Sequence, residues 1–148
     1  MRKNHNSLNQ ILVKLFNDIL KIEEKFLCRG EFKSLTMSEF HIIENIGIGE
    51  GKTMSETAKA LRVTSGTLTT GIDNLVKKGY VFRKRSTEDR RKVLIKLTEK
   101  GNEAYNKHYE FHEEMVADTL MEIPKDEEEV LIRALFNVDK YFKKKYKL

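Results

Sequence analysis

The chain has little of several residue types, and each shortage excludes a class of protein. A single cysteine, Cys28, stands among 148 residues, so neither an intramolecular disulfide nor a cysteine-rich metal cluster can form. One proline and no tryptophan accompany a charged fraction of 34%, without any low-complexity run, which favours an ordered fold. No run approaches the roughly 20 apolar residues of a membrane span, and the first residues lack the apolar centre of a signal peptide. We therefore expect a cytoplasmic protein folded as one domain, residues 1–148.

Complete catalytic and cofactor motifs are also missing. The segment Gly47–Thr53 resembles a phosphate-binding loop, but Ile46 stands where its first glycine is needed. His108 and His112 have a spacing that can hold a regulatory metal, although Tyr109 replaces the glutamate of a zinc protease. Ordinary surface or interface histidines are the simpler interpretation. Without a nucleophile and base pair or a metal triad, we expect no enzyme, no cofactor and no bound metal.

Positive charge is concentrated in one part of the chain. The net charge is +5 and the isoelectric point is about 9.2. The segment from Arg62 to Lys92 has nine basic residues and three acidic ones, a surplus of six that exceeds the surplus of the whole chain. A local surplus of this kind is typical of a surface that neutralises phosphates, and a solvated basic face is the alternative.

The two ends of the chain have the apolar spacing of long amphipathic helices. The first predicted helix has about six turns, and the second begins after Pro124. The apolar residues of each helix form a wide stripe, which favours association of two chains into a homodimer. Ordinary packing within one chain is the alternative. The residues at helical spacing are Leu8, Leu12, Leu15, Ile19, Ile22 and Phe26, then Val130, Leu131, Ala134, Leu135, Val138, Tyr141 and Phe142.

Capping residues and a change of period organise the middle of the chain. Two capping boxes and one further cap predict three helix starts, at Thr36 with Glu39, at Thr53 with Glu56, and at Thr64. Gly79 is placed to end the third of these helices. The β-prone runs 81–85 and 92–97 then predict a hairpin, with Val93, Ile95 and Leu97 pointing inward. Thr98 is expected to cap the next helix, which Gly101 should weaken.

These elements predict a winged helix-turn-helix fold. A short helix from about Met54 to Leu61, a turn through Arg62 and Val63, and a helix from about Ser65 to Lys78 form the helix-turn-helix. The fold class is mainly α with a small β-hairpin wing. The winged helix-turn-helix lobe should span about 36–98, and the N- and C-terminal helices, about 6–28 and 99–146, should form the dimerisation region.

The outward face of the second helix and the hairpin are the predicted duplex-DNA contacts. Small hydroxyl and amide side chains let a helix enter the major groove, and arginines on a ribbon reach the minor groove. Asp89 among these cations is expected to pair with a neighbouring arginine and to orient the tip. The predicted DNA-binding residues are Thr53, Ser65, Gly66, Thr67, Thr69, Thr70, Asn74, Lys77, Arg83, Arg85, Asp89, Arg90, Arg91 and Lys92; Lys84 adds to the charge of the hairpin.

The run MSETAKALRVTSGTLTTGIDNLVKKGYVFRKRSTEDRRKVLIKLTEKG resembles the core of the MarR family of bacterial regulators. Its wing-tip pair is Asp89 and Arg91, and its helix start is Leu97, Thr98 and Gly101. The segments FNDILKIEEKFLCRGEFKSLTMSEFHIIENIG and TSGTLTTGIDNLVKKGY are similar to the branch that represses fatty-acid biosynthesis. This resemblance implies a homodimeric repressor of a near-palindromic operator, with acyl groups on acyl carrier protein as effectors.

The resemblance also implies residue roles and leaves alternatives. Arg91, with Arg90, would enter the minor groove, while Ser65, Thr67 and Thr70 would face the major groove. An effector pocket is expected at Leu15, Ile19, Phe40, Ile43, Tyr105, Tyr109 and Phe111. The alternatives are a repressor released by small aromatic ligands, one released by oxidants through Cys28, and a winged-helix module that binds only protein.

Overall fold

The computed structural model describes residues 2–89 and 91–147, and the predicted order of the helices and the hairpin is confirmed. The chain divides into two compact units, Met1–Phe111 and His112–Leu148. No described helix is both long and apolar enough to cross a membrane. The helices are α1 (Arg2–Leu27), α2 (Met37–Ile46), α3 (Met54–Leu61), α4 (Ser65–Lys77), α5 (Glu99–Met121) and α6 (Lys125–Tyr146), with a 3-10 turn at Gly30–Phe32, and the strands are β1 (Lys52–Thr53), β2 (Val81–Arg85) and β3 (Val93–Leu97).

The predicted caps begin the helices of the first unit. In both capping boxes the threonine hydroxyl accepts the N–H three residues on, and the glutamate carboxylate accepts the backbone N–H of the threonine. Thr64 caps α4 by accepting the N–H of Thr67 at 3.1 Å. Gly79 follows α4 with φ +80°, a conformation that glycine adopts without steric cost. Arg62 has the left-handed conformation at the end of α3, with φ 55°, and so forms the turn of the helix-turn-helix.

The sheet has three strands in the order β1, β3, β2, so the predicted hairpin was incomplete. Thr53 of β1 pairs with Leu94, and Arg85 of β2 pairs with Val93. Val93 was predicted to point inward but is 41% exposed, because it lies at the tip end of the hairpin, opposite Arg85. Ile95 and Leu97 are buried as predicted, nearer the helices.

The core of the first unit lies between α2, α4 and the sheet. Phe40 and Ile43 of α2 and Ile72 and Leu75 of α4 have no exposed surface, and Ile95 of β3 is equally buried. Burial of such side chains stabilises the unit by roughly 1.5–3 kcal/mol each. This core holds α4 by one face and leaves its other face to solvent.

Gly101 was expected to weaken α5, but its lack of a side chain allows close packing. A Cβ built on Gly101 would lie 2.1 Å from the carbonyl oxygen of Tyr80. Thr98 accepts the N–H of Gly101 at 3.0 Å and donates to the carbonyl of Gly79 at 2.7 Å. The start of α5 is therefore held directly against the chain leaving α4.

Two terminal helices expose large apolar side chains. In α1 of the first unit, Leu8, Ile11 and Phe16 are more than half exposed. In the second unit no described residue of α6 is buried, and Leu135 and Phe136 are more than half exposed. Two helices of this length do not normally leave such stripes in water, so each is suited to a partner surface.

Candidate nucleic-acid interface

Helix α4 presents a face of small polar residues to solvent. Its other face is fixed in the core by Leu68, Ile72 and Leu75. Because the helix repeats every 3.6 residues, the positions opposite these three point outward. The exposed residues on this face are Ser65, Gly66, Thr67, Thr69, Thr70, Asn74 and Lys77, each one predicted as a DNA contact.

The threonine hydroxyls of α4 are already hydrogen-bonded within the helix. Thr69 donates to the carbonyl of Ser65 at 2.8 Å, and Thr70 donates to that of Gly66 at 3.2 Å. The hydroxyls of Thr64 and Thr67 lie 2.9 Å apart. A hydroxyl has one donor and two acceptor lone pairs, so Thr69 and Thr70 offer acceptors and methyl groups in this arrangement. Such a face can accept hydrogen bonds from base amino groups and can contact thymine methyl groups.

Thr53 has a structural task besides its predicted DNA contact. Its hydroxyl donates to the Glu56 carboxylate at 2.7 Å and accepts the Glu56 N–H at 3.2 Å. Together with the backbone bond from Thr53, this hydroxyl lowers the pKa of Glu56. The residue is half-buried, in the short strand that joins the sheet to α3. Its contact with DNA stays a prediction.

The hairpin of β2 and β3 exposes a row of basic side chains. Arg83, Arg85, Arg91 and Lys92 are all exposed, as is Lys84 between the first two. Arg90, also predicted as a contact, lies outside the described residues. The described cations have no apolar cover, so the hairpin presents positive charge to any approaching polyanion.

An ion pair joins the hairpin to α4. The Arg83 guanidinium lies 2.6 Å from an Asp73 carboxylate oxygen, with both side chains partly exposed. Exposed pairs contribute little stability, typically 0 to about 1 kcal/mol. The contact joins the middle of β2 to α4.

Hydrogen bonds from backbone N–H groups to side-chain and backbone oxygens define the turn at the hairpin tip. The Ser86 hydroxyl accepts the N–H groups of Glu88 and Asp89, both at 3.3 Å. Asp89 accepts the backbone N–H of Arg91 at 3.0 Å, and its carbonyl accepts the N–H of Lys92 at 2.9 Å. A pairing of Asp89 with an arginine was predicted, and the described contact is with the Arg91 backbone. The Arg91 guanidinium is not used in that contact and is exposed.

The predicted effector pocket combines core and surface residues. Phe40 and Ile43 are fully buried and Phe111 nearly so, whereas Leu15 and Tyr109 are about half exposed. Ile19 and Tyr105 are intermediate. The pocket remains a prediction. An open depression in the same unit is lined by other residues: His41, Glu44, Asn45, Lys52, Ala60 and Leu61.

Sequence reasoning missed two polar clusters. Lys78 contacts both carboxylate oxygens of Glu39 at 2.8 Å, although the two residues lie 39 positions apart. His108 is 1% exposed and lies 2.6 Å from Glu23, so it is not the surface histidine that was expected. A histidine within an apolar stripe was the available signal for the second cluster. The pair of Lys78 and Glu39 had no such signal in the sequence, because both residues occur in ordinary helix-end positions.

The chain is similar in sequence to known transcriptional regulators. Residues 30–108 match the family described as Transcriptional regulator SarA/Rot. The SarZ regulator of Staphylococcus saprophyticus is 34% identical over 107 residues, which cover 70% of this chain and 71% of that protein.

Solved structures have the same fold. The Streptococcus pneumoniae FabT structure in complex with DNA is 36% identical, with a TM-score of 0.88, and covers 95% of this chain and 98% of that one. The Staphylococcus aureus MarR structure with salicylate and kanamycin is 17% identical, with a TM-score of 0.77, and covers 96% of this chain and 94% of that one. The second likeness shows the fold alone.

Proposed function

The chain belongs to the SarA/Rot family of transcriptional regulators and has the MarR-type winged-helix fold, and we propose that it represses transcription by binding duplex DNA as a homodimer. Helix α4 enters the major groove, and the β2–β3 hairpin follows the backbone into the flanking minor groove. The relatives are regulators, as expected for a chain that is not an enzyme.

One observation supports this proposal most strongly. The exposed polar face of α4 and the basic hairpin are neighbouring surfaces of one unit, tied by the contact between Asp73 and Arg83. Phosphate contacts from the hairpin position a protein on DNA, and base contacts from the helix provide specificity. FabT, 36% identical over 95% of this chain, is a DNA complex in its solved structure.

The homodimer is supported by the apolar side chains of α1 and α6. Exposed stripes such as those of Leu8, Ile11 and Phe16 favour burial against an identical chain. Two recognition helices related by a two-fold axis match a near-palindromic operator whose half-sites lie one helical turn apart, about 34–36 Å.

The proposed targets are genes of fatty-acid biosynthesis, and the proposed effector is a long acyl chain on acyl carrier protein. The likeness of this chain to the fatty-acid repressor branch, and the agreement with FabT over nearly the whole chain, support the assignment. An effector that binds one spacing of the two recognition helices better than another shifts the DNA affinity by that difference in binding free energy.

The test of DNA binding uses an operator selected from a randomised duplex library with the wild-type protein. Arg91→Ala should weaken binding about tenfold, and the slope of log affinity against log salt should shrink by about 0.9. Lys125→Ala removes the same charge from α6, outside the two contact elements, and should leave the slope unchanged. Size-exclusion chromatography should give the same dimer for all three proteins.

Two outcomes would contradict the proposal. If no duplex is retained at moderate salt, the basic face serves an acidic protein partner instead. If Arg91→Ala and Lys125→Ala behave alike, the hairpin does not contact DNA.

A separate experiment tests the targets and the effector. Mapping of the occupied sites in the native genome should place them beside genes of fatty-acid synthesis. Titration of the operator complex with long-chain acyl carrier protein should change its affinity, while salicylate-like compounds should not. The reverse response would assign the chain to the regulators released by aromatic ligands.

A further inference from the structure

Three potential metal ligands meet where α1, α2 and α5 come together in the first unit. They are Glu23 of α1, His41 of α2 and His108 of α5. One ligand atom from each residue lies within 4.8 Å of the others. The three residues lie far apart in the chain, so only the tertiary structure forms this cluster.

The distances are close to those of a coordination site. His41 Nε2 lies 3.8 Å, and His108 Nε2 lies 2.6 Å, from the same Glu23 oxygen. Tetrahedral zinc, with bonds of about 2.0–2.1 Å, separates its donors by about 3.3 Å. The two printed distances to Glu23 lie on either side of this value, so small side-chain adjustments would bring the carboxylate and the imidazoles toward the zinc geometry.

Burial makes this group of residues unusual. Glu23 is 3% exposed and His108 is 1% exposed, so two polar groups are withdrawn from water at a helix junction. A buried carboxylate is stabilised by positive charge, and a cation held by Glu23 and the two imidazoles would supply it. His41 is more exposed and closes the cluster on the solvent side.

A fourth residue is placed to orient the buried imidazole. The Nδ1 atom of His108 lies 3.8 Å from a Glu44 carboxylate oxygen. Metal-bound histidines regularly donate their second N–H to a carboxylate, which fixes the tautomer and raises the basicity of the ligand. With Nε2 on a metal, the Nδ1 proton of His108 faces Glu44.

The cluster also has a route to solvent. The open depression between α2, β1 and α3 is lined by His41 and Glu44 themselves. It is also lined by Asn45, whose side-chain oxygen is buried and has no hydrogen-bond partner among the described residues. An ion and its coordinated water can therefore reach the cluster, and the water can serve as an open fourth ligand.

We propose that Glu23, His41 and His108 bind one divalent transition-metal ion of the zinc class. Two imidazoles and one carboxylate suit zinc or cobalt, whereas magnesium and calcium prefer oxygen ligands alone. The ion links α1, α2 and α5, so its binding also stabilises the folded chain. The site does not depend on the proposed DNA contacts.

The test uses the full chain, stripped with a chelator and titrated with zinc and cobalt. We expect one ion per chain, visible cobalt bands typical of a four-coordinate site, and a higher melting temperature. His41→Ala, at a partly exposed position, should weaken binding by at least about tenfold without loss of helical signal. Glu23→Gln should have the same effect, since it keeps a hydrogen-bond acceptor but removes the charged ligand.

Glu24→Gln is the matched control, because it removes the same charge from the neighbouring, exposed position of α1. It should bind zinc like the wild type. Equal zinc affinity in wild type, His41→Ala and Glu23→Gln would overturn the proposal, and the cluster would then be an ion pair that only joins helices. Equal binding of magnesium would overturn it too.

Discussion

Lys77 and Lys78 are adjacent, have the same chemistry, and should respond in opposite ways to the same substitution. The Lys77 side chain is exposed at the end of α4. The Lys78 ammonium lies 2.8 Å from both oxygens of Glu39 and 2.6 Å from the carbonyl of Ser34. We expect Lys78→Met to destabilise the fold, and Lys77→Met to weaken DNA binding.

The size of the first effect follows from the burial of the pair. The side chains of Lys78 and Glu39 are 30% and 6% exposed. Removal of one partner from a fully buried pair costs about 3–5 kcal/mol. The lysine here is nearly one third exposed, and Glu39 keeps its contacts with Thr36, so we expect a loss of about 2 kcal/mol.

Urea unfolding of the two variants and of Glu39→Gln gives the comparison. Lys77→Met should unfold within about 0.5 kcal/mol of the wild type, as surface substitutions usually do. The double variant Glu39→Gln with Lys78→Met should lose less than the sum of the single losses, because the two groups interact directly. Additive losses would refute the assigned contact.

In DNA binding we expect the opposite pattern, with an effect at Lys77 and none at Lys78. Lys77→Met should reduce the salt slope by about 0.9, the effect of one lost phosphate contact. Lys78→Met should leave the slope unchanged, because its ammonium is already neutralised by Glu39. An equal fall of the slope in both variants would refute the reasoning, since it would mean that Lys78 leaves Glu39 for DNA.

Three further predictions concern single positions. Gly101→Ala should destabilise the fold by about 1–2 kcal/mol in urea unfolding, because overlap with the Tyr80 carbonyl outweighs the gain in helix propensity; a stabilised variant would contradict this. Burial, with the nearby Glu24 carboxylate, raises the pKa of the Cys28 thiol above 9.0, so iodoacetamide at neutral pH should react more slowly with the folded than with the urea-unfolded chain; equal rates would favour an oxidant sensor. The hydrogen bonds from the Thr53 hydroxyl and backbone N–H hold the pKa of the Glu56 carboxyl below 4.5. These bonds therefore stabilise the fold above pH 4.5, and their contribution is lost as the pH falls through the lowered pKa. In Thr53→Val, a carbon NMR titration should show the pKa of Glu56 rising toward 4.5.

Local patterns predicted most of the elements. The two capping boxes, the cap at Thr64 and the glycine after α4 each act within about four residues, so the sequence shows them directly. Strand β1 was missed, because its two residues pair with β3 some 40 positions away and leave no period of their own.

Patterns of one helix also predicted which face of α4 is exposed. Leu68, Ile72 and Leu75 repeat at helical spacing, so the polar face opposite them follows from geometry. The state of its hydroxyls did not follow, because back-bonding to the carbonyls of Ser65 and Gly66 depends on side-chain rotamers. Gly101 was interpreted as a weak point of α5 because the nearby Tyr80 carbonyl belongs to another part of the chain, which the pattern of one helix does not show.

The amino-acid sequence alone determined the order of the helices and the hairpin, the polar face of the second helix of the helix-turn-helix and the basic charge of the hairpin, because each depends on neighbours within a few residues. Only the tertiary structure decided which of two adjacent lysines is held by Glu39, and that His108 lies beside Glu23 and His41. Those contacts join residues many positions apart, and their energies depend on burial, which no local pattern contains.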